Sequence, residues 1–361
     1  MSRSYRHRCS TSTTSIYCRG ERTVDEIHGG AAVVNVLKAF GVSQFFNVPG
    51  ESFLPVLDAV GSESTLNLVT NRHEAGASFA AEGLGKMAGR PAVCMATRGP
   101  GAANLSIGIQ TAFYDSTPLV ALLGLIPSGL QGSGAFQEFD MPAMFGSFAK
   151  RSFIVGSRDG LEPAIAQALT EASAGRPGPV VVGIPTDLLS QSAAAAPFSF
   201  PGGDEASLVG LAPVVDELSR SKAPAFLMCT SAARGSCAFH VGETASSLGA
   251  PVYCGWRRFS AFDNSHPCFA GMLGLGGADA VVSNLAAADL VIAFGPLEQI
   301  TIDTGRLNRP GLTIIQICEF EQPNLVRHLP RTRFLQVSGR SEFGGPMACL
   351  REREARGPRP Q

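Results

Sequence analysis

The chain has 361 residues, 45% hydrophobic and 16% charged, and 29 Lys and Arg stand against 30 Asp and Glu for a net charge of −1. That length suits two domains, and the apolar fraction is too high for a disordered chain. A near-neutral balance offers no general attraction for nucleic acid or anionic lipid, and no apolar run reaches the roughly 18 residues a membrane span needs.

Residues 1–22 carry Arg3, Arg6, Arg8 and Arg19, a Ser/Thr cluster, and no acid before Glu21. This composition fits an organellar transit segment or a leader without function, and the missing amphipathic face favours the leader. A helix is expected over 31–40, then a short strand over 44–48 closed by Pro49-Gly50. Residues 74–88 read as a small-residue helix that permits close packing, and 92–97 as a buried strand. Gly99-Pro100-Gly101 reads as a turn before a helix over 102–113. The unbroken apolar runs 119–123 and 180–184 suit strands covered on both faces.

Residues 190–207, rich in Ala, Pro and Ser, read as a linker. Helix–strand alternation then restarts, with helices at 208–220 and 239–248 and strands at 225–229, 289–294 and 312–317. The expected fold is two doubly wound α/β domains with mainly parallel sheets, over 23–189 and 208–337. Residues 338–361, rich in Gly, Pro and Arg, read as a disordered tail.

Generic motifs fail individually. Gly83-Leu84-Gly85-Lys86 is followed by Met87 where a phosphate loop needs Ser or Thr, and His73-Glu74 has Ala77 where a zinc-protease helix needs a second histidine. Nine cysteines never fall as CxxC, so reduced, mostly buried thiols of a cytoplasmic protein are expected.

An ordered series says more. Phe46-Asn47-Val48-Pro49-Gly50 is followed by Arg72-His73-Glu74 and then by Arg98-Gly99-Pro100-Gly101-Ala102-Ala103-Asn104. Tyr114-Asp115-Ser116-Thr117-Pro118, Ala135-Phe136-Gln137-Glu138 and Gly175-Arg176-Pro177-Gly178-Pro179 come next, with "FAGMLGLGG" at 269–277 later. The succession, over about 29–337, resembles the thiamine diphosphate-dependent enzymes of the acetolactate synthase large-subunit type. The resemblance implies a pyrimidine-binding domain followed by a central α/β domain, in a 2-keto acid decarboxylase or carboligase.

By that likeness Glu74 is the catalytic acid that hydrogen-bonds the cofactor's pyrimidine nitrogen and assists removal of the thiazolium C2 proton. Its apolar neighbours Ala75, Gly76, Ala77 and Phe79 suggest a desolvated carboxyl, although a glutamate at a helix N-terminus is also ordinary dipole chemistry. Pro49, Gly50, Pro100 and Asn104 are implied to line the pyrimidine pocket, Asn104 with its amide at the helix start; ordinary turn and cap roles fit Pro100 and Asn104 as well. Phe136 and Gln137 match substrate-facing positions, with core packing the alternative for Phe136.

Departures narrow the reading. Glu51 stands where a small residue is usual, Thr186 where lysine is, and Gly276 where histidine is. Leu297 and Cys318-Glu319 lack the family's flavin-side arginine and aspartate, which leaves Arg176 as the one flavin-contacting position and weighs against FAD. No Gly-Asp-Gly with downstream paired asparagines occurs; Gly203-Asp204-Glu205 is the nearest. Magnesium and diphosphate ligands are therefore expected from a missing domain or a partner chain. Both a homodimer and a non-catalytic assembly protein derived from the family remain open.

Overall fold

The computed structural model describes residues 26–63, 65–200, 212–229, 236–318 and 329–338. The expected leader, the expected tail beyond Ser338, and residues 201–207 of the expected linker with Gly203-Asp204-Glu205 lie outside them; Ser338 itself closes the last strand.

The first half runs β1 (Glu26–His28), α1 (Gly29–Ala39), β2 (Gln44–Asn47), α2 (Leu54–Gly61), β3 (Asn67–Thr70) and α3 (Glu74–Ala88). It continues through β4 (Ala92–Thr97), α4 (Arg98–Tyr114), β5 (Leu119–Leu125), α5 (Met141–Phe145), β6 (Arg151–Ile154), α6 (Leu161–Ser173), β7 (Pro179–Pro185), α7 (Thr186–Ser190) and β8 (Ser192–Ala194). The second half has α8 (Ala212–Arg220), β9 (Pro224–Met228), α9 (Ser236–Leu248), β10 (Val252–Cys254), β11 (Phe269–Met272) and α10 (Asp279–Leu285). It ends with β12 (Leu290–Phe294), α11 (Gln299–Thr304), β13 (Thr313–Cys318) and β14 (Arg333–Ser338).

Two six-stranded sheets result, ordered β3-β2-β4-β5-β7-β6 and β11-β10-β9-β12-β13-β14, and every pairing within them is parallel. Parallel strands covered by helices on both faces must be apolar throughout. Accordingly all seven residues of β5 and of β7 are buried. One core lies on each face of each sheet.

The expected turn at Gly99-Pro100-Gly101 is instead the first turn of α4. Pro100 is the third helical residue, where its missing N–H has no intrahelical partner to lose, so proline does not stop the helix there. The Ala/Pro/Ser-rich stretch also begins with structure: Ser192–Ala194 pairs antiparallel with Glu26–His28, and Phe198 and Phe200 pack on the first core. Small residues set the α3–α4 distance. A Cβ on Gly108 would lie 2.3 Å from Ser78 Oγ and 2.7 Å from the Ser78 carbonyl carbon.

Candidate active site

In an open parallel sheet, ligands bind outside the carboxyl ends of the strands where the winding reverses. The first sheet reverses at β2, since β3 lies on one side of it and β4 on the other. The segments leaving β2, β3 and β4 carry Pro49-Gly50-Glu51, Glu74 and the first turn of α4 respectively.

These segments converge. A Cβ on Gly50 would sit 2.4 Å from Thr97 Cβ, so the β2 loop lies directly on the residue that precedes α4, a closeness only glycine permits. Ser52 and Thr97 hydroxyls fasten it at 2.5 Å. His73 caps α3 by accepting from the Ala75 N–H at 3.1 Å. Glu74, the first residue of α3, is thereby aimed at α4: Asn104 Nδ2 donates to Glu74 Oε2 at 2.9 Å, and Oε1 faces Gly101. Gly101 and Asn104 share a helix face by their three-residue spacing. From the other side, Gly99 N–H donates to the Gln137 carbonyl at 3.1 Å.

Hence Gly50, Glu74, Pro100, Asn104 and Gln137 all gather at the first two turns of α4. Pro49 is exposed beside Gly50, and Phe136 is 77% exposed beside Gln137, so Phe136 is no core residue. Two expectations need correction. Glu74 is half-buried at an open face rather than desolvated among its apolar neighbours, because α3 turns Ala77 and Ala81 inward and presents Phe79 to solvent. Asn104 lies in the second turn of α4, not at its start, because the helix begins at Arg98.

Arg176 lies apart from this group. Its Nε donates to Ser116 Oγ and its Nη2 to the Phe113 carbonyl, each at 3.0 Å, and its guanidinium stacks 5.4 Å from the Phe113 ring. Those partners sit at the opposite end of the 17-residue α4, about 24 Å from its first turn. Burial pushes the Arg176 pKa down, opposed by Glu298. Next to it, Asp115 ties the two halves of the molecule together. Its carboxylate meets Lys86 and, at 2.8 Å, Arg257, and its carbonyl accepts from Arg258. The Tyr114-Asp115-Ser116-Thr117-Pro118 motif is thus structural here.

Sequence reasoning passed over two features. Arg98 Nη2 pairs with Glu51 Oε1 at 2.7 Å across the two strand ends. Glu138 folds the 131–139 loop around its carboxylate, which accepts from the N–H groups of Gly132, Gly134 and Ala135 at 2.5, 2.8 and 3.0 Å. The signal was available as opposite charges at two neighbouring strand ends, and as an acid four residues after the second glycine of Gly132-Ser133-Gly134.

Among the described residues no group of three or more His, Cys, Asp or Glu could hold a metal, and no helix is long and apolar enough to cross a membrane. Cys94, Cys229, Cys254 and Cys318 are buried free thiols, with Cys268 half-buried. Burial pushes Cys94 and Cys254 up to about 12. They serve as packing, not nucleophiles.

Two wholly parallel six-stranded sheets, with a helix-start glutamate beside the point where the first one reverses, define a doubly wound α/β protein with a candidate ligand site at that point. Family comparison agrees: residues 27–144 match the thiamine pyrophosphate enzyme N-terminal TPP binding domain, and residues 211–328 match the thiamine pyrophosphate enzyme central domain. The chain belongs to the thiamine pyrophosphate enzyme family. It is 36% identical over 283 residues to an acetolactate synthase of Mycobacterium bovis, covering 75% of this chain and 45% of that protein. The acetolactate synthase large subunit of Corynebacterium glutamicum is 33% identical over 293 residues, 78% of this chain and 46% of its own. The Escherichia coli acetolactate synthase isozyme 2 large subunit is 32% identical over 284 residues, 78% and 52% of the two chains. The chain spans about half the length of the curated relatives it matches.

Proposed function

We propose that this chain forms the pyrimidine-binding and central portions of a thiamine diphosphate-dependent 2-keto acid decarboxylase or carboligase of the acetolactate synthase type. The observation that carries this reading is the Glu74–Asn104 pair above Gly101 at the sheet's reversal point.

The residues suit the pyrimidine half of the cofactor. Asn104 fixes one Glu74 oxygen and leaves Oε1 for a ring nitrogen, so a proton held there has a defined position. Gly50 and Gly101 keep side chains out of the approach, with Pro49 and Pro100 at its edges. When bound, thiamine diphosphate supplies the electron sink for a carbanion. Phe136 and Gln137 stand toward the substrate end. On this reading magnesium and the diphosphate site come from a further domain or a partner chain. Phe79 on α3 and Ile107 and Tyr114 on α4 are large apolar side chains left exposed, which suits pairing with a second subunit. Two Arg176 donors are engaged by Ser116 and the Phe113 carbonyl, which supports a reading without FAD. Buried reduced thiols accord with a cytoplasmic location.

The experiment is calorimetric titration of the chain with thiamine diphosphate and magnesium, alone and with a polypeptide carrying the Gly-Asp-Gly domain, alongside pyruvate turnover. Tight binding and turnover only in the mixture support the proposal. Micromolar binding by the chain alone refutes the divided site, and neither event in the mixture favours the non-catalytic assembly reading.

A further inference from the structure

Arg98 stands out on three independent counts. Its backbone takes φ +46°, in the left-handed region that non-glycine residues rarely occupy, and Gln137 beside it takes φ +64°. Strained residues persist where surrounding structure holds them for a purpose, and here two of them line one cavity. Arg98 Nε is buried without a hydrogen-bond partner, while Nη2 makes a single contact to Glu51. The Nε–Nη2 edge, which suits a carboxylate bidentately, is only half used.

The cavity has a volume of about 90 Å³ and opens to solvent. Arg98, Gln131 and Gln137 supply its polar side; Leu125, Ile126, Phe139 and Ile154 supply an apolar wall. Glu138 also borders it, but three N–H groups of its own loop hold that carboxylate. The Glu51 side chain is 68% exposed, so it can leave Arg98 for water at little cost.

We propose that Arg98 is the receptor for the carboxylate of a short-chain 2-oxo acid, with Glu51 as a counter-ion that the ligand displaces. The ligand's carboxylate takes both Nε and Nη2, and its alkyl end lies against Leu125, Ile126 and Ile154. The size of the cavity limits that alkyl end to a few carbons. This deepens the proposed function and rests on its placement of the substrate end at Gln137.

The test is titration of the full chain, without cofactor, with pyruvate and with uncharged pyruvamide. The readouts are the Arg98 Nε–H resonance, assigned by its loss in Arg98→Gln, and saturation-transfer spectra of the ligand. Pyruvate is expected to shift that resonance and pyruvamide to leave it. Arg98→Gln should weaken pyruvate at least tenfold, and Glu51→Gln should strengthen it several-fold, because the competitor loses its charge. A merely structural ion pair predicts the same sign for both variants. Equal binding of pyruvate and pyruvamide, no pyruvate binding, or weakening by Glu51→Gln overturns the proposal. If Arg98→Gln does not fold, the two-ligand comparison and Glu51→Gln still decide. Since no thiamine diphosphate is present, failure here is separable from failure of the cofactor reading.

Discussion

Arg258, 2% exposed and borne by a loop of the second sheet, donates from Nη2 to the Asp115 carbonyl at 2.8 Å, at the C-terminal end of α4. The same guanidinium pairs with Glu298 at 2.8 Å and donates from Nε to the Cys229 carbonyl. A cation at a helix C-terminus is favoured by the macrodipole, and here it also joins the halves. Glu298, lifted above the usual carboxylate range by burial, depends on that guanidinium to offset part of the cost.

Removing one partner of such a buried network leaves the others uncompensated. Arg258→Ala should cost about 3–5 kcal/mol. Differential scanning calorimetry should show a lower, broadened transition as the two sheets uncouple. A shift within error of wild type would mean that the interface is held by something else.

The loop carrying Phe136 and Gln137 should be sensitive to acid. Glu138 lies below the usual carboxylate range because the Gly132 N–H, with those of Ala135 and Gly134, bonds its charged form. A depressed carboxylate contributes order that is complete above its unfolded pKa and is lost as pH falls through the folded one. Hydrogen exchange at Gly132 and Gly134 should therefore gain extra acid-side speed in wild type. In Glu138→Gln that pH dependence should vanish, with exchange raised already at neutral pH.

Glu74→Gln should leave the melting temperature near wild type, since the amide keeps the size and can still bond Asn104. In a complex that restores the diphosphate half, turnover and deuterium exchange at cofactor C2 should both fall by about 10² to 10⁴. Unchanged exchange would remove Glu74 from proton handling.

Gly108→Ala introduces a methyl 2.3 Å from Ser78 Oγ and 2.7 Å from backbone carbon. The backbone must give way, at a cost of about 1–3 kcal/mol or more. Urea unfolding should show it, and Ser78→Gly should restore only part, because the backbone contact stays.

Much of the site could be read along the chain. The bounds of α3 and β4 follow from local pattern, since apolar spacing and glycine punctuation act within a few residues. The Arg98-Gly99-Pro100-Gly101 and Arg72-His73-Glu74 series likewise marked segments that prove to be neighbours. Local pattern misled where one residue type has two uses: Pro100 signals a turn but is equally at home in a first helical turn.

What the sequence by itself determined is the alternation of strands and helices, the class of sheet, and the glutamate at the start of α3, because each depends on short-range periodicity and composition. Only the tertiary structure decided that Glu74 sits at an open face with Asn104 as its partner. It also decided that Arg98 meets Glu51 and that Asp115 meets Arg258, 47 and 143 positions apart. The physical reason is that an ion pair or a buried guanidinium is specified by which strand ends and helix ends come together, and parallel crossover winding places residues far apart in sequence at one end of a sheet.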